Sequence, residues 1–228
     1  MDRMPPLSSI DNSRSVVSIF VALALVIGYF AYVAAFGVNV PFWDEWELLP
    51  RFQRFYSGSM PFAELIGSKH NEHLIGTAFS VMLFQHLITG FNVRALLFSD
   101  AVLQVLSVVL VFVIARRERL LEGKSLYVYA AAITAALLSL AQYKNALWGF
   151  QTAWYLITFF FLLSIYLLSG AADRTAPRGA IVRQTFLAAI PAVLASFTSF
   201  HGVLIWVAGA AYLLARREIR LRRAFTDA

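Results

Sequence analysis

VVSIFVALALVIGYFAYVAAF, residues 16–36, carries no charged residue over about 21 positions, and one helical crossing of a bilayer takes about 20. A signal peptide is the rival reading, but its apolar region runs only about 7–15 residues. The apolar run is longer than that, and no convincing small-x-small cleavage site precedes the following polar loop, so the run reads as a retained span. The composition agrees. Hydrophobic residues make up 60% of the 228-residue chain, charged residues 14%, and the mean hydropathy is +0.69. Ordinary soluble domains carry roughly 25% charged residues. The expected fold class is all-α, a polytopic helical membrane protein of about six transmembrane helices, with interfacial amphipathic helices in the first outer loop.

The remaining apolar runs are 74–90, 93–115, 126–143, 151–169 and 185–215. The last is too long for one crossing, and a turn at SFHG (199–202) divides it into two short helices. The run 74–90 holds Gln85 and His86. Were it a full crossing, Arg116, Arg117 and Arg119 would lie on the same side as the acidic loop, against the bias of Lys and Arg toward the cytoplasm. It is therefore expected in the interface or as a partial insertion. Six spans then place both termini in the cytoplasm. Arg3, Arg14, Arg116, Arg117, Arg119, Lys124, Arg174, Arg178, Arg183, Arg216, Arg217, Arg220, Arg222 and Arg223 collect inside, against Arg51, Arg54, Lys69, Arg94 and Lys144 outside. The expected organisation is a disordered cytoplasmic tail (1–15), a transmembrane module (16–215) with its outer loop at 37–92, and a basic cytoplasmic tail (216–228). The net charge of +6 follows this topogenic pattern, so no nucleic-acid partner is expected. With no cysteine, disulfides and thiolate metal sites are excluded.

Functional chemistry concentrates in PFWDEWELLPRFQRFYSGSMPFAELIGSKHNEH, residues 41–73. It holds Asp44, Glu45, Glu47, Glu64 and Glu72 of the thirteen acidic residues, and His70 and His73 of the four histidines. In VPFWDEWE, Asp44 is expected to cap a helix with Glu47 three residues on, and Trp43 with Leu48 to form a hydrophobic staple. Leu48, Leu49, Phe52, Phe55 and Tyr56 would then line one face of an amphipathic helix on the bilayer, with Trp43 and Trp46 in an interfacial belt. Glu45 alone is left without a structural task. In KHNEH, Asn71 is expected to cap the next helix, with Glu72 and His73 in its first turn facing Asp44. The spacing fits no metal signature such as HExxH, so the metal assignment stays open. Carboxylates and histidines on one membrane face are nonetheless the composition of an acid/base or divalent-cation site.

Six other residues add candidates, five of them on the outer side. Arg94, Lys144 and His201 are cations there; anchoring for Arg94 and Lys144, and a turn for His201, are their bland roles. Trp148 and Gln151, in LWGFQ (147–151), offer a stacking platform and a hydrogen-bond donor. Asp100 is an intramembrane carboxylate, a functional candidate by default; pairing with Arg94 or facing an aqueous cavity are its alternatives.

A first span, an outer loop with an Asp-Glu pair, interfacial helices and a second Glu-His element resemble the GT-C superfamily of membrane glycosyltransferases. FWDEW, NEH, LWGFQ and SFHGVLIW are similar to motifs of bacterial membrane proteins of that group. The resemblance implies inverting transfer of a sugar from a polyprenyl-phosphate carrier to an acceptor outside the bacterial inner membrane, in building the cell envelope. By position it gives the general base to Asp44, with Glu45 as its neighbour. Donor and acceptor binding would fall to Glu72, His73, Arg94, Lys144, Trp148, Gln151 and His201. The implied partners are the lipid-linked sugar donor and membrane lipids, with no cofactor assigned beyond a divalent cation left open. Enzymes of that group have more than six spans, so the chain is expected to be either an amino-terminal portion completed by a carboxyl-terminal half or a complementing subunit, or a minimal relative. The alternative from another class is a small transporter, or a non-catalytic lipid-binding or partner subunit of the membrane. A third is a structural membrane protein whose charges are caps and anchors.

Overall fold

The computed structural model describes residues 7–67, 69–121, 123–171 and 177–226, with backbone alone at 7–14, 124, 171, 178 and 217–226. Of the tail expected at 1–15, residues 1–6 lie outside the described residues, as does Arg174; helix starts at Leu7. The described helices are α1 (Leu7–Phe36), α2 (Leu48–Tyr56), α3 (Phe62–Ile66), α4 (Gly76–Thr89), α5 (Val93–Arg117), α6 (Lys124–Leu137), α7 (Tyr143–Ala146), α8 (Thr152–Ala171), α9 (Arg178–Ser196) and α10 (Leu204–Thr226). Two strands of two residues, β1 (Lys69–His70) and β2 (His73–Leu74), pair antiparallel. Among the described residues five segments are long and apolar enough to cross a membrane: Ser15–Phe36, Val93–Arg117, Ser125–Ala146, Gly149–Gly170 and Gly179–Ser196. Phe200–Arg216 is a shorter apolar helix. The chain divides into two compact units, 1–40 with 92–149, and 41–91 with 150–228.

The first unit packs α1, α5 and α6 around Tyr29, Val33, Leu97, Ala101, Val108, Leu138 and Ala146. Its apolar positions recur at helical spacing, and Phe30 stacks on Phe98. The start of α5 is satisfied by two asparagines: Asn92 accepts from the Ala95 N–H, and Asn39 accepts from the Val93 N–H at 2.8 Å. Along the same helix Asp100, Gln104 and Ser107 are buried at spacings of four and three, one polar stripe on its inward face. Sequence reading gave one continuous helix over 126–143, but α6 ends at Leu137. The Ser139 hydroxyl then accepts from the Ala141 N–H, and a short 3₁₀ turn leads into α7. A side-chain acceptor for a backbone donor competes with helix continuation, which accounts for the break.

In the second unit α8 and α9 form the most extensive helix pair, and α3 and α4 pack beside them. The expected division of 185–215 is present. Helix α9 stops at Ser196, residues Phe200–Val203 form a 3₁₀ turn, and α10 follows. Two glycines allow the backbone to cross itself closely. A Cβ on Gly202 would sit 1.8 Å from the Ala195 carbonyl oxygen, and one on Gly76 1.8 Å from that of Ile66. The α4 start is joined to the end of α9 by the Thr77 N–H donating to the Phe197 carbonyl at 2.9 Å. At 14 residues α4 rises about 21 Å, short of the ~30 Å hydrocarbon core. One face of it, with Ala78, Phe79, Met82, Leu83 and His86, is buried in protein, while Phe84, Leu87 and Ile88 are exposed on the other.

Candidate functional site

The site builds up from WDEWE, residues 43–47, which form a 3₁₀ turn rather than the start of an α-helix. Three residues per turn place i and i+3 in line, so Asp44 and Glu47 share a face and Glu45 points elsewhere. This corrects two expectations. The cap position is Phe42, not Asp44. Glu45, expected to be without a structural task, accepts a 2.6 Å hydrogen bond from the Phe42 N–H and is 3% exposed. Trp43 takes a left-handed φ of 51°, costly for a bulky side chain, and projects its indole outward at 71% exposure. From Leu48 the chain continues as α2, whose Leu48 and Phe52 are buried; Phe52 meets His86 and Phe91 edge-on.

KHNEH departs further from expectation. Asn71 caps no helix, and Glu72 and His73 lie in no first turn. Residues 69–74 form a hairpin in which His70 pairs with His73 across a two-residue turn. Asn71 holds its left-handed corner at φ 50°, a conformation asparagine tolerates well. Helix α4 begins only at Gly76, and a free N–H of its first turn, on Thr77, donates to the Phe197 carbonyl. The two histidines are backbone partners, but their rings engage different neighbours.

His70, 8% exposed, reaches back to the acidic turn. Its Nδ1 is 3.1 Å from Glu47 Oε2, its Nε2 is 3.6 Å from Asp44 Oδ2, and its ring packs 4.7 Å from the Phe150 ring. Arg51 binds the same corner. Its guanidinium donates to the Lys69 carbonyl at 2.9 Å, lies 4.0 Å from Glu47 and covers the Phe79 ring. Burial lowers its pKa from the usual arginine value, opposed by the nearby Glu47 charge. On the other side of the hairpin His73 lies 6.2 Å from His201, ring to ring, and its Nδ1 is buried without a partner. His201 packs 5.0 Å from Trp154, and its Nδ1 is 3.3 Å from the Ser199 hydroxyl. An apolar cavity of about 480 Å³ opens between α4, α8 and α9, lined by Thr77, Ser80, Phe84, Phe160, Leu194 and Phe197 among others.

Of the residues singled out from sequence, Asp44 meets His70, while His73 and His201 meet each other, the two groups being joined by the backbone of the hairpin. Glu45 turns away to the backbone, and Glu72 is exposed at the hairpin tip. Gln151 is buried in the same unit. Arg94, Lys144 and Trp148 belong to the first unit. There the Arg94 guanidinium donates to the Ala34 carbonyl, Lys144 lies 5.9 Å from the Tyr143 ring, and Trp148 is half-buried. Sequence reasoning missed His70, Glu47, Arg51 and Trp154 as site residues. The period of three separating Asp44 from Glu47, and an Asn-led pair between two histidines, were the signals for the first two. Among the described residues no group of three or more His, Asp or Glu side chains is arranged to hold a metal ion.

Five membrane-length apolar helices and an all-α fold define the class as a helical integral membrane protein. Beyond that class, no family model, curated protein or solved structure matches the chain.

Proposed function

We propose that the chain is a membrane glycosyltransferase of the GT-C type, or the amino-terminal portion of one. It would transfer a sugar from a polyprenyl-phosphate carrier to an acceptor hydroxyl on the extracytoplasmic face of a bacterial inner membrane. In this arrangement α1, α5, α6, α8, α9 and α10 make six crossings with both termini cytoplasmic. Helix α4 and the acidic turn sit at the outer interface, where the exposed Phe42, Trp43 and Trp46 suit the headgroup region.

The observation that carries this reading is Asp44. Its carboxylate is part-exposed on a rigid turn shortly after the first apolar helix, backed by a buried histidine. A positioned carboxylate can take the acceptor's proton as its oxygen attacks the anomeric carbon. His73 and His201 would face the departing lipid phosphate, Trp154 would stack on a sugar or prenyl group, and the apolar cavity beside α4 would take part of the lipid chain. Glu45 keeps a structural role.

The test is sugar transfer in membranes, from an isotope-labelled lipid-linked sugar pool, by the unmutated chain, Asp44→Asn and Glu45→Gln at matched expression. Loss of transfer in Asp44→Asn by about 10²-fold or more supports the base. Transfer retained in Asp44→Asn overturns the base, and no transfer from either the unmutated chain or a longer form that completes it overturns the glycosyltransferase reading. The stripe of Asp100, Gln104 and Ser107 buried on α5 favours a second reading, a small transporter. Ion-coupled flux abolished by Asp100→Asn but untouched by Asp44→Asn would select it.

A further inference from the structure

Hairpin and acidic turn meet at one imidazole, and its two contacts are unequal. Nδ1 lies at hydrogen-bond distance from Glu47, 3.1 Å, whereas Nε2 is 3.6 Å from Asp44, beyond one. An ionised carboxylate only accepts, so Nδ1 donates to Glu47. In the neutral ring Nε2 then turns its lone pair toward the Asp44 oxygen. Without a proton between them this contact is repulsive; with one it becomes a short, charge-assisted hydrogen bond. An interaction that strengthens only when a proton reaches Asp44 is of the kind that speeds a reaction, since it favours the transition state over the ground state. Burial and the Phe150 ring hold the imidazole in place for it.

We propose that Glu47 and His70 form a proton relay behind Asp44, with His70 as the residue that positions the base. The inference rests on Asp44 being that base. The acceptor O–H breaks as its oxygen bonds to the anomeric carbon, and the proton goes to the Asp44 carboxylate. The anomeric carbon's bond to the carrier breaks, and the lipid phosphate leaves with the electron pair. The new Asp44 O–H then breaks as Nε2–H forms, restoring the carboxylate and leaving an imidazolium against Glu47. Water later takes that proton. The charged and titratable groups facing this unit are Asp44 and Glu47 on the 3₁₀ turn, Arg51 on α2 beside Glu47, and His73 across the hairpin with His201 beyond it.

The relay has a signature independent of turnover. The full chain holds four histidines, so nitrogen-15 histidine spectra of the intact protein in nanodiscs read every imidazole tautomer. His70 is assigned by its loss in His70→Gln. Should that variant fail to fold, removing the signals of His73, His86 and His201 one at a time assigns it instead. The expected result is neutral His70 protonated on Nδ1, shifting to Nε2 in Glu47→Ala and remaining on Nδ1 in Asp44→Asn. A wild-type ring protonated on Nε2, or a tautomer indifferent to Glu47→Ala, overturns the relay. In the transfer assay His70→Gln is expected to lower kcat about tenfold or more at unchanged KM and to reshape the acid limb of the pH profile. Asp44→Asn inactive with His70→Gln unimpaired overturns the relay alone. Full transfer by Asp44→Asn removes the base and the relay together.

Discussion

His70 Nδ1 lies 3.1 Å from Glu47 Oε2, a residue 23 positions earlier in the chain, and this contact ties the hairpin to the acidic turn. With the Asp44 contact and the packing on Phe150, it makes His70 the fastening of residues 69–74, which have only two pairs of strand residues of their own. An isolated hairpin of that length is not stable in water. His70→Ala is therefore expected to cost about 1–3 kcal/mol and to open the hairpin before the helices melt. Hydrogen exchange of the amides at 69–74, alongside thermal unfolding of the detergent-solubilised chain, checks this. Exchange unchanged from wild type would refute it.

Asp44 and Glu45, adjacent in sequence, are expected to separate in function. Glu45→Ala removes the buried carboxylate that accepts from the Phe42 N–H and should cost about 1–2 kcal/mol. Asp44→Asn should leave the melting temperature within about 2 °C while abolishing transfer. The same two preparations, read by thermal unfolding and by transfer, give both answers. Equal destabilisation by the two substitutions would contradict the division.

Close backbone crossings predict a sharp contrast among glycines. Gly76→Ala and Gly202→Ala would drive a Cβ to within 1.8 Å of a carbonyl oxygen that has no flexible side chain to yield, for a loss of about 3 kcal/mol or more each. Gly28, within α1, has nothing within 4 Å of its Cβ position, and Gly28→Ala should be neutral or slightly stabilising. Thermal unfolding of the three variants decides it, and a tolerated Gly202→Ala would place the α9–α10 corner differently.

Hydropathy made α1 and α5 legible, and the length of the apolar run 185–215 located the corner between α9 and α10. Both signals are long-range sums over many residues, which no single side chain can reverse. The site is another matter. Asp44 as a cap for Glu47 assumed α-helical geometry. The 3₁₀ turn moves the cap to Phe42 and rotates Glu45 inward, a difference of register that propensity cannot resolve. The hairpin was illegible because two-residue strands show no alternation, and because Asn before Glu-His reads equally well as a helix cap or a left-handed corner. The contacts that fix the hairpin and the α4 start are with distant residues, Glu47 for His70 and, 120 residues on, Phe197 for the Thr77 N–H.

A pH effect should arise at His86. On α4, outside the five membrane-length segments, it is buried between Phe52 and Phe91, stacked 4.1 Å from the latter. Burial pushes its pKa down to about 4, from an ordinary 6.5. The folded protein therefore holds it neutral while the unfolded chain protonates it first. Its contribution to stability is fully present above about pH 6.5 and is lost as pH falls toward 4. Unfolding in detergent between pH 7 and 4 should show a progressive loss, on the order of 1–3 kcal/mol, that His86→Phe reduces. A wild-type profile flat over that range, or a His86→Phe profile of identical slope, would remove His86 as the source.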